Sequence, residues 1–387
     1  MTRDVMRRLA EARPAHLDPD APVDEGTRRA ELARATYGAQ ASSAARGRAR
    51  GGRRLRWGLA GVAVATGAAV ALAVLPDDSA VAPRDGGSGG APVVALDART
   101  ILLTAADRAA AQPDRPGRYW HTVRVGSGAY RVKSPGGDYT IVTRSEQKAW
   151  TPFTPGNHGW SGSRDLGAVP ATPADEAAWR RAGAPSELTV QVGGRKASGP
   201  VRLKPMPVST RPGEERIERH PLVGGDKVFW LGRNVTMKDL RTLPDTPAAL
   251  KKWLLRSYAG HGTETTDQKM SSDDWLFTVT TGLIIDMPVT PATRAAAFRM
   301  LADLKTVRAL GTVKDARGRS GSAVAVTERT PNGTFQHRLI IDPATARPLA
   351  DERVLIKGAG MSAKLPTGTV VFSTVVLGNG WTDAAPR

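Results

Sequence analysis

The chain has 387 residues, 40% of them hydrophobic, a formal net charge of +18 and no cysteine. That length holds one large domain or two modest ones with accessory segments. The missing cysteines exclude disulfides, thiol catalysis, cysteine-type zinc sites and a lipidated cysteine. A large domain reaches a stable core without disulfides, so an extracytoplasmic location stays open.

Residues 1–56 carry 13 arginines against seven acidic residues. Val5, Met6 and Leu9 mark one face of a short helix, interrupted by Pro14, Pro19 and Pro22, and a second helix centres on Leu32, Ala33, Thr36 and Tyr37. Too few large apolar residues are present to fold a domain. The segment reads as a mostly disordered arm, or as a docking segment for a cytoplasmic regulatory partner. It ends in Arg46, Arg48, Arg50, Arg53, Arg54 and Arg56.

Residues 57–75 (WGLAGVAVATGAAVALAVL) hold no charge, and Asp77 and Asp78 follow. As a helix this run spans roughly 28 Å, close to the hydrocarbon thickness of a bilayer. Arginines on one side and aspartates on the other place the N-terminus in the cytoplasm and the remainder outside, with the arginine cluster against anionic lipid. An Arg/Gly-rich nucleic-acid arm is the weaker reading of that cluster, and no nucleic acid is expected. Small-residue cleavage patterns fall inside the apolar run rather than after it. The run therefore reads as an uncleaved signal-anchor of a plasma-membrane protein, in preference to a cleaved secretory signal.

Residues 76–92, with Gly86-Gly87-Ser88-Gly89-Gly90, read as a flexible linker. Residues 93–387 then read as an extracytoplasmic α+β domain. A helix is predicted over 97–112, with Ile101, Ala105 and Ala109 in line and Pro113 as its stop. Strands are predicted over 118–125, 129–133 and 139–150, the first two joined at Gly126-Ser127-Gly128. Thr172-Pro173, Thr246-Pro247 and Thr290-Pro291 each place a capping hydroxyl before a first-turn proline, so each opens a helix. The second is expected to stop at Gly260. Stretches 322–329 and 334–341 flank Thr330-Pro331-Asn332-Gly333, a hairpin signal. Strands follow over 349–356 and 368–377, while 275–286 fits either a strand or a helix.

No motif implies a cofactor or a metal. His16, His121, His158, His220, His261 and His337 form no local ligand pair, and no phosphate-cradling loop occurs. Gly159-Trp160-Ser161-Gly162-Ser163 and Gly318-Arg319-Ser320-Gly321-Ser322 miss the nucleophile-elbow pattern by its last glycine and read as turns. Tryptophan is the remaining oddity. Core packing is the plainer account of it; the functional one is an apolar ligand groove lined by Trp120, Trp150, Trp160, Trp230 and Trp275.

Gly117-Arg118-Tyr119-Trp120, the stretch from Trp150 through Trp160 to Arg164, Pro170-Ala171-Thr172-Pro173 with Trp179 and Gly183-Ala184-Pro185, and Asp342-Pro343-Ala344-Thr345-Ala346-Arg347-Pro348 resemble an uncharacterised family of actinobacterial single-pass membrane proteins. More distantly, the outer domain is similar to the half-barrel domains of lipoprotein carriers and of envelope sensors coupled to sigma factors. That similarity implies a curved antiparallel sheet wrapping helices, and the binding or sensing of a lipid, lipoprotein or envelope component, with a possible link to transcription. The expectation is a non-enzymatic binding protein, with an envelope hydrolase and a structural or assembly protein as the alternatives.

Overall fold

The computed structural model describes residues 97–194, 202–262 and 269–386. The basic arm with its six arginines, the apolar run 57–75 and the glycine linker lie outside the described residues. Among those described, no helix is long and apolar enough to cross a membrane.

The architecture is α+β, built on a large antiparallel sheet. Five C-terminal strands run as a meander: β10 (Arg308–Lys314), β11 (Ser320–Thr330), β12 (Gly333–Ile341), β13 (Pro348–Gly358) and β14 (Val370–Thr382). β14 then pairs with the first strand, β1 (Tyr119–Val132). Beyond it lie β2 (Tyr139–Pro152), β3 (His158–Asp165) and β7 (Arg216–Pro221). The short β4 (Val169–Pro170) also pairs with β2. The two ends of the domain thus meet at the middle of one sheet.

β1 departs from the two predicted strands. Gly126 and Gly128 would ordinarily weaken a strand interior. Here each is paired on both sides, Gly126 with Thr374 and Ser145, and Gly128 with Phe372 and Thr143, so the strand runs through unbroken. The Trp160–Ser161 stretch, expected as a turn, is the interior of β3. Gly318-Arg319 does turn, and it leads straight into β11.

Five helices and the hairpin of β8 (Lys227–Trp230) and β9 (Arg233–Thr236) form the main core against the face of β11 and β12 that carries Val324, Val326, Leu339 and Ile341. Helix α1 (Ala98–Ala110) buries Ile101, Leu102, Ala105, Ala106 and Ala109. Asp97 accepts from the Thr100 amide at its start. Such a small face allows close approach to the alanine-rich α6 (Pro291–Ala302), whose Ala295, Ala296 and Ala297 are also buried. α2 (Pro173–Arg181) packs instead over β2 in a second cluster, with Tyr139, Ile141, Leu188, Val190 and Val208. The last three belong to the separate ribbon β5 (Glu187–Gly194) and β6 (Arg202–Ser209). α3 (Met237–Arg241) opens with a reciprocal cap between Thr236 and Asp239.

The three Thr-Pro starts all open helices: α2, α6 and α4 (Pro247–Leu255). α4 ends before the expected Gly260. Its chain tightens into three-residue turns at Arg256, Ser257 and Tyr258, and the Tyr258 hydroxyl donates to the Met270 carbonyl at 2.6 Å.

The ambiguous stretch is helix α5 (Ser272–Asp286). Its periodicity is hidden because Trp275, Leu276, Phe277, Thr280, Thr281, Leu283, Ile284 and Ile285 are buried on nearly every side. A helix apolar all round belongs in a core, and this one lies between the sheet and the other helices. The Asn-Gly hairpin forms, but its two central residues are Pro331 and Asn332. Gly333 pairs with Thr330 and takes φ +136°.

Candidate functional site

A cavity of about 490 Å³ opens where the start of α5 meets the ends of β11, β12 and β13. Lys269, Met270, Ser271 and Asp274 form one wall. Thr327, Glu328, Arg329, Thr330, Asn332 and Phe335 form the opposite one, and Arg353, Ser362 and Val371 complete it. Ser271 caps α5 by accepting from the Asp274 amide at 3.1 Å, which fixes the Asp274 backbone at the cavity.

Strand alternation sets the floor. On the helix-facing side of β11, Val324 and Val326 are followed by Glu328; on that of β12, Leu339 is preceded by His337 and Phe335. The core face therefore turns from apolar to ionic at the cavity. Glu328 and His337 are 6% and 1% exposed. Burial at this depth requires partners, and they are present. His337 Nδ1 meets Glu328 Oε1 at 3.1 Å and its Nε2 meets Asp351 Oδ1 at 2.6 Å. Arg353 Nε donates to Glu328 Oε2 at 3.0 Å. The Phe277 ring stands edge-on to His337, with centroids 5.0 Å apart.

The network fixes its own charges. Burial opposes ionisation of His337, but the Asp351 carboxylate and the bonds to Asp351 and Glu328 outweigh it and raise the imidazole to about 9. Burial would likewise raise Glu328, and His337 and Arg353 instead hold it down to about 2. Asp274 behaves differently. Burial pushes it up, the Ser271 hydroxyl opposes this, and the Glu328 charge adds to the rise.

Chemically, the floor is an array of fixed charges. His337 has both ring nitrogens engaged, and both Glu328 oxygens accept bonds. Neither has the free lone pair and near-neutral pKa that a general base needs. The hydroxyls of Ser271, Thr330 and Ser362, the Asn332 amide and the mixed charges suit recognition of a polar group. Among the described residues, no three His, Asp or Glu side chains are arranged to hold a metal ion.

The five tryptophans lie elsewhere, and none forms part of the cavity wall. Trp120 is buried on β1, its indole donating to the Asp286 carbonyl at 2.7 Å and its ring edge-on to Trp381. Trp150 stacks on His121 and faces Trp160 across β2 and β3. Trp230 stacks on Trp253 within the helical core, and Trp275 sits there too, against Tyr258. The structure brings Trp150 and Trp160 together and leaves the others apart. Arg46, Arg48, Arg50, Arg53, Arg54 and Arg56 lie outside the described residues. Sequence reasoning missed Glu328, His337, Asp351 and Arg353. Their signal was charge at core-facing positions of a predicted hairpin.

The chain matches no family model, and no curated protein is similar to it.

Proposed function

We propose that the chain is a single-pass plasma-membrane protein whose folded domain stands outside the cytoplasm and binds an envelope component without chemical turnover. Residues 57–75 form the anchor, and the six arginines before it hold the arm in the cytoplasm against anionic lipid. The arm offers a docking segment through which binding outside reaches a regulatory partner inside.

The observation that carries this reading is the cavity between α5 and the sheet, whose lining includes Glu328 and Arg353, with His337 and Asp351 bonded into the same network behind them. A ligand held between helix and sheet is the arrangement expected of a half-barrel domain. Curvature of the sheet is part of the proposal. It is supported by register breaks between β1 and β14, β10 and β11, β12 and β13, and β13 and β14, because bulges bend and twist strands. The polar walls favour the polar portion of a lipid, lipoprotein or glycan over an acyl chain alone. An envelope hydrolase gains little support, since the paired Glu328 and His337 are saturated.

The test is purification of the full chain from native membranes, with mass spectrometry of the lipids and proteins that accompany it. Lys269→Trp narrows the cavity from an exposed position in its wall. A molecule retained by the wild type and lost from this variant supports the proposal; the same set from both removes the cavity as the site.

A further inference from the structure

A second charged cluster lies away from the cavity, and it is unbalanced. Arg294 sits in the first turn of α6, where the unpaired amides already make the helix end positive and no acidic residue offsets it. Its Nε and Nη2 are buried and have no hydrogen-bond partner. These two nitrogens form the side-on fork by which a guanidinium grips a carboxylate or a phosphate. The guanidinium lies over the Trp120 ring, 5.6 Å from its centroid, and Trp120 in turn meets Trp381 edge-on at 5.3 Å.

Two more arginines act on the same place. Arg241 lies over Trp381 at 5.8 Å, and it is paired with Asp114 and bonded to the Pro288 carbonyl. Arg347 comes from the loop between β12 and β13 and is exposed. Burial first, then the charges of Arg347 and Arg241, pull Arg294 down to about 10. Asp114 is the one carboxylate paired with any of the three among the described ion pairs. A buried cation left without a partner is costly, and an unmet donor fork adds to that cost.

We infer that the side-on edge of Arg294, with Arg241 and Arg347 beside it and the Trp120–Trp381 pair as its wall, binds a small anion: a phosphate or a carboxylate group of a ligand or partner. This site stands on different residues from the cavity and does not depend on it.

The experiment uses the full chain in detergent, with thermal unfolding and calorimetric titration in sodium chloride, sodium phosphate and sodium acetate at equal ionic strength. Saturable binding of phosphate or acetate to the wild type is expected, with a higher unfolding midpoint. Phosphate alone points to a phosphoryl ligand, and acetate alone to a carboxylate. Arg294→Lys keeps the charge and loses the fork, and it should weaken binding about tenfold or more. Arg347→Ser, an exposed change that leaves the core untouched, should weaken it too. Arg294→Met in chloride should be at least as stable as the wild type, because an uncompensated charge is gone. Absence of saturable binding, binding that survives in both Arg294→Lys and Arg347→Ser, or an Arg294→Met variant less stable in chloride would each overturn the inference.

Discussion

The imidazole of His337 meets the carboxylate of Asp351 at 2.6 Å, joining neighbouring strands β12 and β13 beneath helix α5. With Glu328 on its other nitrogen, the ring is a cation held between two anions inside the core. Its burial is tolerated because every charge in the group is answered by another.

Stability should follow the titration of this group. His337 is raised from 6.5 to about 9, so its contribution is complete below about pH 6.5 and is lost as pH rises through 9. Glu328 is lowered from 4.5 to about 2, so its contribution is complete above about 4.5 and is lost as pH falls towards 2. Glu352, on the other face of β13, is raised to about 7, by burial first and then by the Asp315 and Asp351 charges against the pull of Arg338. Its ionisation therefore removes stability as pH rises through 7. Thermal unfolding midpoints should peak near pH 4.5, falling below it as Glu328 is protonated and above it as first Glu352 and then His337 lose their protons. His337→Gln should cost about 3–5 kcal/mol near pH 6, the usual price of stranding buried partners, and should flatten the alkaline limb.

The threonine caps should differ. Thr290 accepts from the Thr293 amide at 3.0 Å, whereas Thr246 makes no side-chain cap bond. Thr290→Ala should destabilise by about 1 kcal/mol and Thr246→Ala by clearly less, read from paired denaturant titrations. Equal losses would show that the hydroxyl bond is not what the cap contributes.

Two glycines with positive φ offer a second contrast. Gly333 has φ +136°, and a methyl group there would collide with the Lys357 carbonyl. Gly137 has φ +108° and open space around it. Gly137→Ala should cost about 1–2 kcal/mol from backbone strain alone. Gly333→Ala should cost more and disturb the rim of the cavity, which chemical denaturation and ligand retention would register together.

The proposed membrane orientation is tested by a reporter active only outside the cytoplasm. Fused after Arg387 it should be active, and fused at Met1 inactive. Replacing Arg46, Arg48, Arg50, Arg53, Arg54 and Arg56 by Ser should scramble that asymmetry.

Much of the local structure was legible. Asp97, Thr172 and Thr290 announce helices because a cap is an interaction over three residues. The Thr330–Gly333 turn announces a hairpin for the same reason. α5 was not legible, because a helix buried on nearly every side has no polar stripe to give it a period. The turn at Leu231 and Gly232, with φ +54° and +71°, escaped notice. It joins β8 (Lys227–Trp230) to β9 (Arg233–Thr236), and leucine is not a turn residue; burial of its side chain stabilises that conformation.

The sequence by itself determined an uncharged apolar run bounded by arginines and aspartates, the helix starts and the C-terminal hairpins, all properties of neighbouring residues. Only the tertiary structure decided that Gly126 and Gly128 lie within one strand, that β1 closes against β14, and that Glu328, His337, Asp351 and Arg353 converge. The reason is register. Alternation says that two side chains share a face, but pairing with distant strands decides which face is inward and which charges meet there.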